Sequence, residues 1–468
     1  MKKLLGTVLG LALVFPAIAQ ADLLKNLKTS GQVDVQGVRV NNLDSTSGTM
    51  DRFGRTHTRL IWGASFDLLD DVMGNVTFTK TDRNYGTGAQ SVTGVEGVAL
   101  VNEANIQIKN LGCVDAKVGR QFYGNAGDMV VYYGPSGKPS DSTTPLGVTA
   151  LDAVRLDCTH ARDYLGNGGS LHLFNGKVTD ASNTADTDTD VRGLSAGWKL
   201  FGLAWVADLY ERRLGSGVLK ADGSGNAGRL DDDLWVLRLK TKGDVGMVKG
   251  MTWNAQVALN RGTNGDTNGS GTITAGDVDP ATGPVPQYRG WAFLGNVAHK
   301  WNWNKVGGVN WGGELGYGSG NVPTDPVSRP VTNTFAAIAS DYRPGDIYGG
   351  HFGGLTGGFN PAGLSNRLIY NAWVSLNPDR WPKLTATVQG YKFHFVQGPV
   401  VLGVQEKNIG SEVDLRLGYK HSDNVGVGFS YGRFYPGAAI IHTIAGAGGG
   451  TVQVNPTNRL GTDLTVRF

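Results

Sequence analysis

The chain has 468 residues, with 43 Lys and Arg against 40 Asp and Glu, 71 Gly and 2 Cys. So even a charge balance gives no electrostatic support for a nucleic-acid partner. So few cysteines exclude a disulfide scaffold, and so many glycines disfavour long helices, where each costs roughly 1 kcal/mol.

Residues 1–21 read as a secretory signal peptide. Lys2 and Lys3 form the basic start, Leu4 to Phe15 the apolar stretch, and Ala19-Gln20-Ala21 the cleavage site. The mature chain is then expected to start at Asp22. Beyond that point no apolar run approaches the ~18 residues of a membrane helix. A soluble β-protein and a membrane β-barrel both pass this test.

Strand signals follow in order. Thr56–Leu68 places Leu60, Trp62, Ala64 and Phe66 on one face and His57, Arg59, Ser65 and Asp67 on the other. Val98–Lys109 sets Leu100, Ala104, Ile106 and Ile108 against Glu103, Asn105, Gln107 and Lys109. Met251–Asn260 and Gly410–Lys420 repeat the pattern, the latter with Val413, Leu415, Leu417 and Tyr419 opposite Glu412, Asp414 and Arg416. Side chains alternate along a strand, so each segment has one apolar and one polar face. Segments of this kind centre near residues 35, 62, 77, 104, 117, 154, 172, 196, 207, 237, 255, 294, 312, 371, 389, 415, 429 and 463. The phase slips near Gly37, Gly390 and Gly432, which predicts bulges there.

The last segment is the most telling. Leu460, Thr462, Leu464, Val466 and the terminal Phe468 share a face, with Arg459, Gly461, Asp463, Thr465 and Arg467 on the other. This resembles the closing strand of a bacterial outer-membrane barrel, with lipid on the apolar side and a polar lumen on the other. The connections alternate between short turns, such as Leu69-Asp70-Asp71 and Leu200-Phe201, and long polar stretches, such as 122–147 and 318–365. A soluble sandwich has no reason to sort its loops so. The expected fold is all-β: residues 22–468 form a single transmembrane antiparallel up-and-down β-barrel of about 18 strands, with long extracellular loops and short periplasmic turns. Trp301, Trp303 and Trp381 fall in the short turns, where a membrane–water boundary favours them.

A barrel of this size encloses an aqueous channel. Its selectivity depends on width and on lumen charge. The strand phases turn Arg59, Lys117, Arg155, Arg238, Arg367, Arg416, Arg459 and Arg467 inward, together with Glu412 and Asp414. Basic residues slightly exceed acidic ones on this face, which predicts a weak anion preference. The competing reading is that these charges pair and hold the wall together. Loops 122–147 and 318–365 are the candidates, by length, to narrow the pore.

Four segments resemble the alginate-export family of outer-membrane barrels: Asn102-Glu-Ala104 with Lys117-Val-Gly-Arg-Gln121, Leu151-Asp-Ala-Val-Arg-Leu156, Gly410-Ser-Glu-Val-Asp-Leu415, and Phe434-Tyr-Pro-Gly437. They cover about half the chain; residues 180–365 have no match. The resemblance implies an 18-stranded barrel whose Arg-rich channel is lined by Arg120, Arg155, Glu412, Asp414 and Arg416. Arg120 is out of phase with Lys117, and a bulge at Gly119 would turn it inward.

Two further features stand apart. Asp266, Asn268, Ser270, the Thr272 carbonyl and Asp277 have the ligand spacing of an EF-hand calcium loop, with Gly271 at the sharp turn. The alternative is a Gly/Asn/Thr loop that matches by chance. Cys113 and Cys158 lie on neighbouring strands in an oxidising compartment, which permits a disulfide. Their phases, however, place them on opposite faces. The eight His form no catalytic or metal pattern, so no enzyme is expected and no cofactor beyond calcium in loop 266–277.

The leading expectation is an outer-membrane porin of a diderm bacterium, passing small polar or anionic solutes. The alternatives are an exporter of an acidic, alginate-like polysaccharide and a structural or adhesive surface barrel that uses the calcium loop. Expected partners are the bilayer, lipopolysaccharide-type lipids, and the assembly machinery that reads the C-terminal strand.

Overall fold

A computed structural model of the chain describes residues 25–42, 52–82, 99–137, 147–166, 168–179, 188–215, 219–220, 228–229, 232–264, 287–321, 331–351, 363–401, 403–441 and 454–468. The expected signal peptide, 1–21, and the expected calcium loop, 266–277, lie outside these residues.

The wall consists of β1 (Lys25–Asn41), β2 (Phe53–Asp67), β3 (Val72–Asp82), β4 (Leu100–Leu111), β5 (Val114–Gln121), β6 (Leu151–Cys158), β7 (Ser170–Thr179), β8 (Thr189–Leu200) and β9 (Leu203–Leu214). It continues through β10 (Asp232–Asp244), β11 (Met251–Thr263), β12 (Trp291–Trp303), β13 (Gly307–Gly318), β14 (Arg367–Pro378), β15 (Leu384–Phe395), β16 (Asn408–Lys420), β17 (Val425–Pro436) and β18 (Thr457–Arg467). Each strand pairs antiparallel with its neighbours in sequence. β18 returns to β1, from Gln32 opposite Arg467 to Asn41 opposite Asn458. The result is a closed, 18-stranded up-and-down barrel. Closure satisfies every strand edge, which an apolar surround requires. All eighteen segment centres read from the sequence fall within these strands.

The alternation sorts side chains oppositely to a water-soluble protein. On β9, Asp208 is 2% exposed and Leu209 37%. On β10, Arg238 is 2% exposed and Leu237 and Leu239 are 52% and 43%. Aliphatic residues thus cover the outside and polar ones face in, the arrangement of a barrel solvated by lipid. Trp301 and Trp303 stack at one rim, with ring centroids 5.9 Å apart. Phe201 and Gly202 link β8 to β9 with φ of 55° and 77°. Two successive positive φ values make the hairpin turn whose twist matches its flanking strands.

The expected bulges at Gly37, Gly390 and Gly432 are absent, since all three pair in unbroken register. Gly432 instead makes room: a Cβ there would lie 2.7 Å from Asp414 Oδ1. Register shifts fall elsewhere, among them at Thr77/Phe78 against β4 and at Phe393/His394 against β16. Closure is completed by the last residue. Gly31 N–H donates to the Phe468 carbonyl (2.7 Å), and Phe468 N–H donates to the Gly31 carbonyl (3.0 Å).

Inside the barrel lies an apolar core. Leu234, Val236, Ala258, Leu294, Ile369, Phe393 and Phe434 point inward from the wall, and Met129, Val130, Val131, Phe335, Ile347 and Tyr348 come from two connections that enter the lumen. The interior is therefore built by folding loops into the bore.

A constriction built by two inward loops

The first inward loop follows β5 and the second follows β13. They bond to one another through the backbone. Tyr132 N–H donates to the Ala339 carbonyl (2.8 Å), Ala339 N–H to Val130 (2.9 Å), and Asp341 N–H to Asp128 (2.9 Å). The described parts of both long connections nominated from the sequence thus enter the lumen.

Each loop is fixed to the wall by polar contacts. Asp128 folds back on its own loop, accepting from the amides of Val130 and Val131 (2.8 and 3.0 Å). It also pairs with Arg238. Arg238 is wholly buried and donates through Nε to Asp208 (2.8 Å). A buried charge is tolerated only when paired and hydrogen-bonded, and Arg238 has both carboxylates. Asn260 on β11 clamps the second loop with two bonds: its Nδ2 donates to the Ala336 carbonyl (2.9 Å) and its Oδ1 accepts from Ala336 N–H (2.8 Å). The Tyr342 hydroxyl donates to Glu314 (2.8 Å). Burial, reinforced by that carboxylate, pushes the Tyr342 hydroxyl well above the ordinary tyrosine range and keeps it a donor. Arg367 donates to the Tyr348 hydroxyl (2.6 Å) and lies 4.5 Å over the Phe395 ring. Tyr348 stacks on Phe393 with centroids 4.1 Å apart.

The firmest anchor is on β16. Glu412 is fully buried and accepts from three consecutive loop amides, those of Asp346 (2.6 Å), Ile347 (2.7 Å) and Tyr348 (2.9 Å). Gly345, with φ of 80°, brings the backbone close, since a Cβ would lie 2.6 Å from Glu412 Oε2. Asp414 also accepts from Asp346 N–H, at 3.1 Å. Asp346 sends its own carboxylate back to the wall, to Arg416 and, at 3.6 Å, to Arg459. Wall carboxylate to loop amide and loop carboxylate to wall guanidinium is a reciprocal attachment.

Beside this attachment lies a cavity of about 540 Å³, lined by Asp34, Arg59, Asp346, Arg416, Arg459 and Asp463 among others. Arg59 donates through Nε and Nη2 to Asp34 (3.0 and 2.8 Å) and through Nη1 to the Ser136 carbonyl of the first loop (2.6 Å). Arg459 donates to Ser430 Oγ at 2.7 Å. Three guanidinium groups therefore border one water-accessible space.

The remaining expected residues are dispersed. Lys117 stands 3.5 Å from Glu103, and Arg155 pairs with Asp157 at 2.7 Å; both border a second cavity of about 250 Å³. Arg467, at the end of β18, donates to Gln32 Oε1 at 3.3 Å. Arg120 departs from expectation. Gly119 has φ of 115° yet pairs normally with Asn105 and Ala153, so the phase is not reset. Arg120 stays on the face of Val118 and pairs outside with Asp152 at 3.1 Å. Cys113 and Cys158 carry free thiols. The register explains this, because Val114, not Cys113, stands opposite Cys158. No group of His, Cys, Asp and Glu among the described residues is arranged to hold a metal. Asp128 and Asp346 were not singled out in the sequence. They lie in aperiodic loops, and only the partners Arg238, Glu412 and Arg416 on the wall hinted at a contact.

Eighteen antiparallel strands closed around a lumen that loops narrow from within define a porin-type outer-membrane β-barrel fold. Solved structures with this fold include three Pseudomonas aeruginosa proteins. The chain is similar to OccK9 (OpdG), with a TM-score of 0.55 and 11% identity over 95% of this chain and 99% of that one. It is similar to OpdQ, with a TM-score of 0.54 and 11% identity over 96% and 99%. It is similar to OpdK solved with vanillate, with a TM-score of 0.51 and 10% identity over 94% and 98%. No family model and no curated protein matches the chain.

Proposed function

We propose that the protein is a passive channel of the outer membrane of a diderm bacterium, selective for small anionic solutes, carboxylates above all. The observation that carries this reading is the convergence of Arg59, Arg416 and Arg459 on one cavity beside the loop-narrowed bore. A planar guanidinium presents paired N–H donors that match a carboxylate. Vanillate, the molecule bound in the structurally similar OpdK, is itself a carboxylate. Two loops across the lumen suit compact solutes better than a polymer, which favours diffusion over export of an acidic polysaccharide. The four segments shared with the alginate-export family support kinship with its porin-like members. The outer aliphatic surface suits the bilayer and lipopolysaccharide-type lipids, and the terminal strand ending in Phe468 suits recognition by the assembly machinery. A calcium site at Asp266–Asp277 belongs to this reading only as an accessory of the outer loops.

Planar-bilayer recording of the purified protein tests the channel. Discrete open-channel current, with a reversal potential displaced toward the anion in a salt gradient, is the expected result. Absence of current from pure folded protein would refute it.

A further inference from the structure

We infer that Asp346 is a built-in competitor for the solute carboxylate: it occupies the Arg416–Arg459 pair, and an arriving anion binds by taking its place. The inference rests on the channel reading above.

The two loop-to-wall attachments at β16 are chemically separate. The main chain of the second loop is held by Glu412 through the amides of residues 346–348. The Asp346 side chain is held by Arg416 Nε at 3.1 Å, by Arg416 Nη2, and by Arg459 Nη1 at 3.6 Å. The carboxylate can therefore swing away while the backbone stays docked. Exchange costs a side-chain rotation, not a loop departure.

The two other acidic groups on the cavity are placed differently. Asp463, on β18, accepts from Gln36 of β1 at 2.8 Å and is part of the wall. Asp34 faces Arg59 across β1 and β2. It accepts from Arg59, Gln32 and Thr465 at once, so it is fixed in the wall. Asp346 is the loop-borne carboxylate. Its principal partner is also the most accessible of the three arginines: the Arg416 side chain is 35% exposed, against 6% for both Arg59 and Arg459. The site an anion reaches first is thus one already holding a carboxylate of the protein.

This has a function in a channel. A tethered group competes at a high effective concentration, so it weakens the apparent affinity of a free one. Permeation needs binding strong enough to admit the solute and weak enough to release it. An arginine pair left bare would hold carboxylates too long, and an internal carboxylate speeds their release.

Benzoate is a suitable probe. Its affinity is measured by calorimetry in detergent and by block of single-channel current, for the wild-type protein, Asp346→Asn and Asn260→Ala. Asp346→Asn keeps the size of the side chain and the backbone docking. It is expected to bind benzoate roughly tenfold more tightly, a typical coupling between two ligands of one site. Its reversal potential is expected to move toward the anion. Asn260→Ala loosens the same loop at Ala336 and reports what loosening alone does; it is expected to show no such gain. Unchanged benzoate affinity in folded Asp346→Asn would overturn the competition while leaving the channel intact. An equal gain in Asn260→Ala would also overturn it, assigning the effect to loop mobility. A wild-type protein that binds benzoate but carries no current would instead overturn the channel reading.

Discussion

The ring of Phe468 lies against the backbone of Gly31, so close that a Cβ on Gly31 would sit 2.3 Å from it. The two residues also exchange main-chain hydrogen bonds. A side chain at position 31 would therefore have to displace the exposed Phe468 ring from the seam between the first and last strands.

Gly31→Val is expected to destabilise the barrel by no more than about 1 kcal/mol, because the exposed Phe468 ring can turn aside. The check is thermal loss of the compact, fast-migrating form on a gel. Adding Phe468→Ala removes the obstruction. The double variant is expected to be less destabilised than the sum of the two single ones, because the residues are in contact.

Arg238 holds two buried carboxylates together, Asp208 on the wall and Asp128 on the first loop. Arg238→Met leaves both without their shared cation. Removing one member of a buried ion cluster typically costs about 3–5 kcal/mol. A lower denaturation midpoint and noisier channel current are expected, because the loop loses an anchor along with the wall. Guanidinium titration and single-channel recording check the two effects separately.

Asn260→Ala deletes both bonds to Ala336. The loop amide and carbonyl left behind are each worth about 1–3 kcal/mol if they stay dry. The expected outcome is a loop that samples positions further from the wall. Single-channel recording is expected to show additional conductance levels; one unchanged level would refute this.

Arg59→Gln removes a positive charge from the cavity beside the loop anchor and leaves Asp34, still held there by Gln32 and Thr465, without its guanidinium partner. Both changes make the lumen more negative. The reversal potential in a salt gradient is expected to shift toward the cation, and raising the ionic strength is expected to shrink the difference through screening.

Much of the barrel is legible in the sequence, because lipid outside and water inside impose a period of two. Leu209 beside Asp208 and Leu237 beside Arg238 display it directly. The reading falters where a third environment intervenes. Phe393 and Phe434 point inward although apolar, since the second loop covers them through Tyr348 and Ile347. An apolar residue on the lumen face looks like a phase error in one dimension, and a bulge at Gly390 or Gly432 was the natural way to repair it. The repair is unnecessary once the loop is in place. Arg120 shows the converse: a charged residue on the outer face looks misplaced until Asp152 is seen beside it. Loop length nominated the two stretches that enter the bore. Which of their residues engage the wall was not readable, because Asp128 and Asp346 belong to no repeating pattern. The charges at Glu412, Asp414 and Arg416 do hold the structure together, as the competing reading had it. They do so by docking a loop rather than by bracing neighbouring strands.

The main-chain bonds between Tyr132 and Ala339 and between Asp341 and Asp128 splice the two inserted segments into a single crossbeam. One of its footings is Arg238 on β10 and another is Glu412 on β16, so a disturbance at either is transmitted along a continuous strut. Variants on one side of the bore are therefore expected to shift the position of the other, the two inserted segments moving as one piece.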